Sequence, residues 1–278
     1  MTTPPVEARR TIRFAHTSVG AGVGRDAVSL PEPVTRAWAW GGATGRGVRV
    51  CVIDSGLDAD HPLVGGRAET FRVEAAESGE ETTWTVGPDD QGDSAGHGTA
   101  CAGIIRGLAP DCELVSVRVL GKNLRGSGGA LVAALEWAVR ERFGVVNLSL
   151  STQRPAFRDR LRELTDEAYF NGVTIVCAAH NRPVNSYPWR FPSVISVGSH
   201  AVPDPEYIEI SPTPPVEFFA NGVNVHAAWL NGGTTRLSGN SFATPNVAGL
   251  CARMLERHPG FRTPQLKSVL AAVAGNLI

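Results

Sequence analysis

Five apolar runs of strand length, at residues 48–53, 113–119, 145–150, 174–179 and 194–198, recur along this 278-residue chain and alternate with segments of helical pattern. Strands apolar at successive positions, rather than at every second one, are buried on both faces. The segments between and after them predict helices over residues 98–105, 129–142, 155–170, 241–257 and 264–274. The last carries Thr263 as its cap and Pro264 at its first helical position. Strands of this kind linked by helices imply an α/β fold, a three-layer sandwich around a mostly parallel central sheet. The active groups of such a sheet are expected beyond the carboxyl ends of its strands.

The length and a hydrophobic content of 42% suit one large core. Residues 1–30, rich in Gly, Pro, Thr and Ala and without periodicity, read as an N-terminal arm, and residues 31–278 as the folded domain. Lys and Arg number 26 against 27 Asp and Glu, so no charge excess draws the chain to nucleic acid or an anionic membrane. No run approaches the length of a membrane span. Alternating charges over residues 154–167, with Phe157, Leu161, Leu164 and Ala168 at helical spacing, describe a surface helix. The five cysteines form no Cys-x-x-Cys and no zinc spacing, and are expected as small buried hydrophobes. With no apolar signal stretch at the start, the expected setting is reducing and cytoplasmic.

Three segments carry chemistry. Asp54 ends the first apolar run, His97 lies in Gly96-His97-Gly98-Thr99, and Ser241 lies in Gly239-Asn240-Ser241-Phe242-Ala243-Thr244-Pro245. Taken singly, the Asp is a turn former, the His a loop residue and the Ser a helix cap. Taken together they supply a hydroxyl nucleophile, a base to remove its proton, and an acid to fix the tautomer of that base.

The order Asp, His, Ser resembles that of the subtilisin-like serine peptidases, and the resemblance runs from about Val34 to about Ala274. It implies that Asp54 orients, His97 acts as general base and acid, and Ser241 attacks the peptide carbonyl. A fourth motif, Val176-Cys177-Ala178-Ala179-His180-Asn181, offers Asn181 as the oxyanion donor, with the Ser241 backbone amide as the second. A fifth begins at Tyr187-Pro188, where the resemblance implies a cis peptide. Substrate is expected as an extended strand between two rims. One rim is Leu124, Arg125, Gly126, Ser127 and Gly128, and the other is Ser149, Leu150 and Ser151.

Three departures from the family pattern stand out. Leu63 occupies a position where many relatives carry a calcium-binding aspartate, and the ligand loop expected after the His97 helix is absent. No metal and no other cofactor is therefore expected, although Asp58, Asp60, Asp89, Asp90 and Asp93 offer carboxylates. Ser151 and His180 stand where pocket walls are usually glycine, which together with Arg182 favours small or polar, even acidic, residues before the scissile bond. Only five residues separate Asn181 from Tyr187. The function expected is a cytoplasmic serine endopeptidase acting on a peptide or protein through an acyl-enzyme, in processing or maturation. A silent peptide-binding module and a peptide ligase are the alternatives from other classes. Residues 1–30 are too few for the folded propeptide domain of secreted relatives, so the resemblance leaves two expectations: the enzyme folds without one, or the arm itself crosses the active site.

Overall fold

The computed structural model describes residues 9–11, 29–31, 33–78 and 81–277. Within the N-terminal arm, β1 (Arg9–Thr11) and β2 (Ser29–Pro31) form a short antiparallel pair. The rest of the arm, with any contact it makes to the active site, lies outside the described residues. Helix α1 (Arg36–Trp40) follows, capped by Thr35, whose hydroxyl accepts from the Trp38 amide at 3.2 Å.

The chain then lays down β3 (Arg49–Asp54), β4 (Ala68–Ser78), β5 (Glu81–Pro88), α2 (His97–Leu108), β6 (Glu113–Arg118), α3 (Gly128–Arg140) and β7 (Val145–Leu148). Next come α4 (Arg158–Asn171), β8 (Thr174–Ala178), β9 (Ile195–His200), β10 (Glu209–Ile210), β11 (Phe218–Asn221), β12 (Val225–Ala228) and β13 (Thr234–Leu237). The last two helices are α5 (Asn240–Arg257) and α6 (Thr263–Ala272). Nine strands form one sheet in the order β10-β11-β9-β8-β7-β3-β6-β4-β5. Neighbours from β11 to β4 are parallel, and only the edge strands β10 and β5 run antiparallel.

Successive side chains of a strand point to opposite faces, and here both faces are covered. Val50 and Val52 of β3, with Val176 of β8, pack beneath α2, α5 and α6. Cys51 and Ile53, with Ile175 and Cys177, pack on the other face against α3 and α4. The solvent face of α4 carries the alternating charges, and Leu161, Leu164 and Ala168 are buried. All five cysteines are buried and free. Among the described residues no helix is long and apolar enough to cross a membrane.

Several expected boundaries move. The strand read over 145–150 ends at Leu148, because Ser149 and Leu150 leave the sheet to line a cavity. Thr263 is the first residue of α6 rather than its cap, and its buried hydroxyl faces Thr174 Oγ1 at 3.1 Å. The stretch 155–170 opens with a 3-10 turn, Pro155–Phe157, before α4 begins. The β4–β5 hairpin was not anticipated, since its strands are interrupted by Glu69, Arg72, Glu74 and Glu77. Its signal was the alternation that places Phe71, Val73 and Val86 against the α3 side of the core. The peptide Tyr187-Pro188 is cis as expected, and Pro214-Pro215 is a second cis bond.

Candidate active site

The residues singled out in the sequence sit at the carboxyl ends of neighbouring strands. Asp54 is the last residue of β3, Ser149 follows β7, and Asn181 lies three residues beyond the end of β8. His97 opens α2 and Ser241 is the second residue of α5. Contact between α2 and α5 across the α2/α5 face of the sheet brings these two helix starts together.

Asp54 is fully buried, and its carboxylate oxygens lie 2.8 and 2.9 Å from His97 Nδ1. That contact fixes Nδ1 as the protonated nitrogen of the neutral ring and leaves Nε2 with its lone pair free. Burial opposes protonation of His97, but the Asp54 carboxylate outweighs it and holds the imidazole well above its ordinary pKa. Close approach of the two elements depends on Gly98, where a Cβ would run into the Gly56 carbonyl.

The loop before α2 is held by Asp93, weighed above only as a metal ligand. Its Oδ1 accepts from Ser55 Oγ at 2.8 Å, Ala95 N at 2.9 Å and Gly96 N at 2.8 Å. Its Oδ2 accepts from Thr99 N at 2.8 Å and Thr99 Oγ1 at 2.7 Å. Ser55 Oγ in turn accepts from Gly98 N at 3.0 Å. Asp93 thus satisfies open donors of the first turn of α2 and joins that turn to the end of β3. An Asp shortly before a helix start is a cap signal, and it was available in the sequence.

Ser241 has a comparable scaffold. Pro245 lies four residues on and has no N–H, so the Ser241 carbonyl has no helical donor. Ser149 Oγ supplies one at 2.9 Å, and Cys101 Sγ lies 3.5 Å from the same oxygen. Burial holds the Cys101 thiol above its ordinary pKa although nearby His97 opposes this, so it is a protonated donor. Buried Asn147 donates from Nδ2 to Ser149 Oγ at 3.1 Å. The Ser241 hydroxyl itself donates to the Ser149 carbonyl at 3.2 Å rather than to His97.

Asn181 Oδ1 accepts from the Asn240 amide at 3.0 Å, which turns the Asn181 NH2 away from that contact. Asn240 Nδ2 donates to the Ala179 carbonyl at 2.9 Å and locks the two segments together. Gly239, at φ 152°, takes a conformation that L side chains rarely adopt. Of the first-turn amides of α5, that of Asn240 is taken by Asn181 and that of Phe242 by the Gly239 carbonyl, which leaves the Ser241 amide open.

A cavity of about 230 Å³ unites much of this set, lined by His97, Ser241, Asn181, Ser149, Leu150, Ser151, His180 and Leu124. Arg125, Gly126, Ser127 and Gly128 line an adjoining hollow that shares Leu124, Leu150 and Ser151 with it. Arg182 is exposed and belongs to a third hollow, beside Trp189. Leu124 has φ 56° and an exposed side chain at the shared edge.

The matching family model is the subtilase family, which covers residues 45–277. The chain belongs to the subtilase family. It is 30% identical over 254 residues to Subtilisin DY of Bacillus licheniformis, covering 85% of this chain and 86% of that one. Subtilisin E of Bacillus subtilis (strain 168) is 31% identical over 248 residues, 84% of this chain and 62% of the longer relative. A crystal structure of a cold adapted subtilisin-like serine proteinase superposes with a TM-score of 0.67 at 30% identity, covering 82% of each chain. This subtilase is accordingly a serine endopeptidase whose substrates are peptides or proteins.

Around Leu63, where the resemblance implies a lost calcium ligand, the backbone oxygens are already engaged. Leu63 is apolar and exposed, and the carbonyls of Val64 and Arg67 beside it accept from the buried Arg106 guanidinium at 3.0 and 2.7 Å. The same guanidinium takes the carbonyls of Pro110 and Cys112 at 2.9 and 2.8 Å. Oxygens already bound to a fixed cation do not form a calcium cradle. Among the other carboxylates, Asp89 is paired with Arg118 at 2.7 Å and Asp93 is committed to α2.

Proposed function

We propose that this subtilase cleaves peptide bonds through an acyl-enzyme on Ser241, with His97 as general base and acid and Asp54 as its orienting group. The reading is carried by one observation: His97, held by Asp54 at 2.8 Å, opens into the same cavity as Ser241 and Asn181. Rotation of the Ser241 hydroxyl away from the Ser149 carbonyl turns its proton toward His97 Nε2. As Oγ bonds to the scissile carbon, Nε2 takes that proton and the carbonyl π pair moves to oxygen. Asn181 Nδ2 and the Ser241 amide receive the oxyanion, both being positioned before reaction.

Collapse of the adduct breaks the C–N bond, and the imidazolium returns its proton to the leaving amine. Water then repeats the sequence on the ester and releases the acid. The substrate backbone lies extended between Ser149, Leu150 and Ser151 on one side and the Leu124 to Gly128 rim on the other. Five unpaired thiols support a reducing, cytoplasmic setting. The test is labelling with a fluorophosphonate: wild type reacts once, and Ser241→Ala and His97→Ala neither react nor cleave peptides. Labelling that persists in Ser241→Ala would place the nucleophile elsewhere.

A further inference from the structure

The scissile carbonyl must lie between Ser241 Oγ and Asn181, so the side chain of the residue carrying it enters the cavity walled by Ser149, Leu150, Ser151 and by Ala178, Ala179, His180. These two walls are sealed behind by a third segment. Thr152 and Tyr187 exchange both backbone hydrogen bonds at 2.9 Å, which fastens the first wall to residues 186–189. One residue inward, Ser151 Oγ donates to Ser186 Oγ at 3.0 Å, and Trp189 Nε1 donates to the same oxygen at 2.9 Å. Ser186 is fully buried, and Trp189 is 7% exposed.

The seal is therefore a continuous polar chain, Trp189–Ser186–Ser151, with its members held in place by hydrogen bonds. A long side chain could deepen the cavity only by breaking that chain and leaving buried donors unpaired, which is costly. His180 does not swing clear either, because its Nδ1 accepts from the Arg182 amide at 3.0 Å. At about 230 Å³, shared with the catalytic groups, the space is below the usual range of about 300–1,000 Å³ for ligand pockets.

We infer that this subtilase selects peptides with Gly, Ala or Ser immediately before the scissile bond, and that the Trp189–Ser186–Ser151 chain is the device that excludes larger residues. The inference rests on the acyl-enzyme reading above. The charge of Arg182 plays no part in it, since that residue lines the adjoining hollow beside Trp189 and not the cavity that holds Ser241.

The experiment is a series of fluorogenic peptides identical except for Gly, Ala, Ser, Leu or Phe at that position, run with fluorophosphonate labelling in parallel. The expected kcat/KM for Ala exceeds that for Phe by roughly a hundredfold or more, the scale on which a pocket discriminates by size. The variant carrying both Ser151→Gly and Ser186→Gly is expected to gain at least about tenfold on Phe. Labelled wild-type enzyme with a flat profile, or with Phe or Leu cleaved fastest, would overturn the size selection and leave the peptidase reading standing. No labelling and no cleavage of any peptide would overturn both. A labelled double variant that keeps the wild-type preference would remove the hydrogen-bonded seal as its cause.

Discussion

Ser149 Oγ donates to the carbonyl oxygen of Ser241 at 2.9 Å, filling the place of the helical N–H that Pro245 lacks. The proline that disrupts α5 thus makes its second residue dependent on a loop from the next layer. Ser149→Ala should destabilise the protein by about 1 kcal/mol, the net worth of such a bond, and slow turnover because Ser241 loses its anchor. Urea unfolding and kcat on one peptide check this. An unchanged midpoint with unchanged kcat would show that Cys101 alone suffices.

The Asp54–His97 pair predicts the pH dependence. Catalysis needs neutral His97, so kcat/KM should rise with pH through a midpoint above the ordinary histidine value, and Asp54→Asn should lower that midpoint. Folding responds in the opposite sense. The folded state binds the His97 proton more tightly than the unfolded chain, so this stabilisation is complete below the ordinary histidine pKa and is lost as pH rises through the raised one. Thermal midpoints of wild type and His97→Ala should therefore converge at alkaline pH, which a pH series of melting curves measures.

Asn181→Ala removes the proposed side-chain donor to the oxyanion while leaving both proposed substrate rims intact. A loss of roughly 10²–10³ in kcat with little change in KM is expected, a magnitude taken from the subtilisins themselves. Steady-state kinetics decide it, and a change confined to KM would assign Asn181 to ground-state binding.

Arg106→Met should destabilise the protein by at least about 2 kcal/mol, since the carbonyls of buried Val64 and Cys112 lose their donor and those of Arg67 and Pro110 lose one nearer the surface. The same arrangement predicts that adding a chelator leaves the melting temperature of the wild type within a degree or so, because carbonyls held by Arg106 offer no cradle near Leu63 for an ion that would stabilise the fold by mass action. Scanning calorimetry with and without chelator measures both effects, and a fall of many degrees on chelation would reveal a calcium site.

Asp54, His97, Asn181 and Ser241 stood out in the sequence because each lies in a short motif at the end of an apolar run or the start of a helix. The five central strands were legible for a local reason as well, since burial on both faces demands continuous apolar residues. The edge hairpin β4–β5 was not, because its strands are exposed on one side and carry charges between their apolar positions. Asn240 and Ser186 were missed because Asn181, Ala179 and Ser151 lie 35 to 61 residues away, whereas Asp93 and Asn147 act mainly on near neighbours, Ala95, Gly96, Thr99 and Ser149, and went unread as caps and braces.

By itself the sequence determined the layered α/β architecture and singled out the candidate reacting groups, because periodicity and motif are properties of neighbouring residues. Tertiary structure alone decided that Ser149 completes the hydrogen bonding of Ser241, that Arg106 occupies the carbonyls beside Leu63, and that Ser151 meets Ser186 under Trp189. Such contacts join segments 35 to 92 residues apart: α2 and α5, packed over the sheet, carry Arg106 and Ser241 to their partners, and the Thr152–Tyr187 bridge brings Ser151 to Ser186. A hydroxyl or guanidinium has many partners available to it in sequence, and burial selects among them, since a polar group inside the core is costly to leave unpaired.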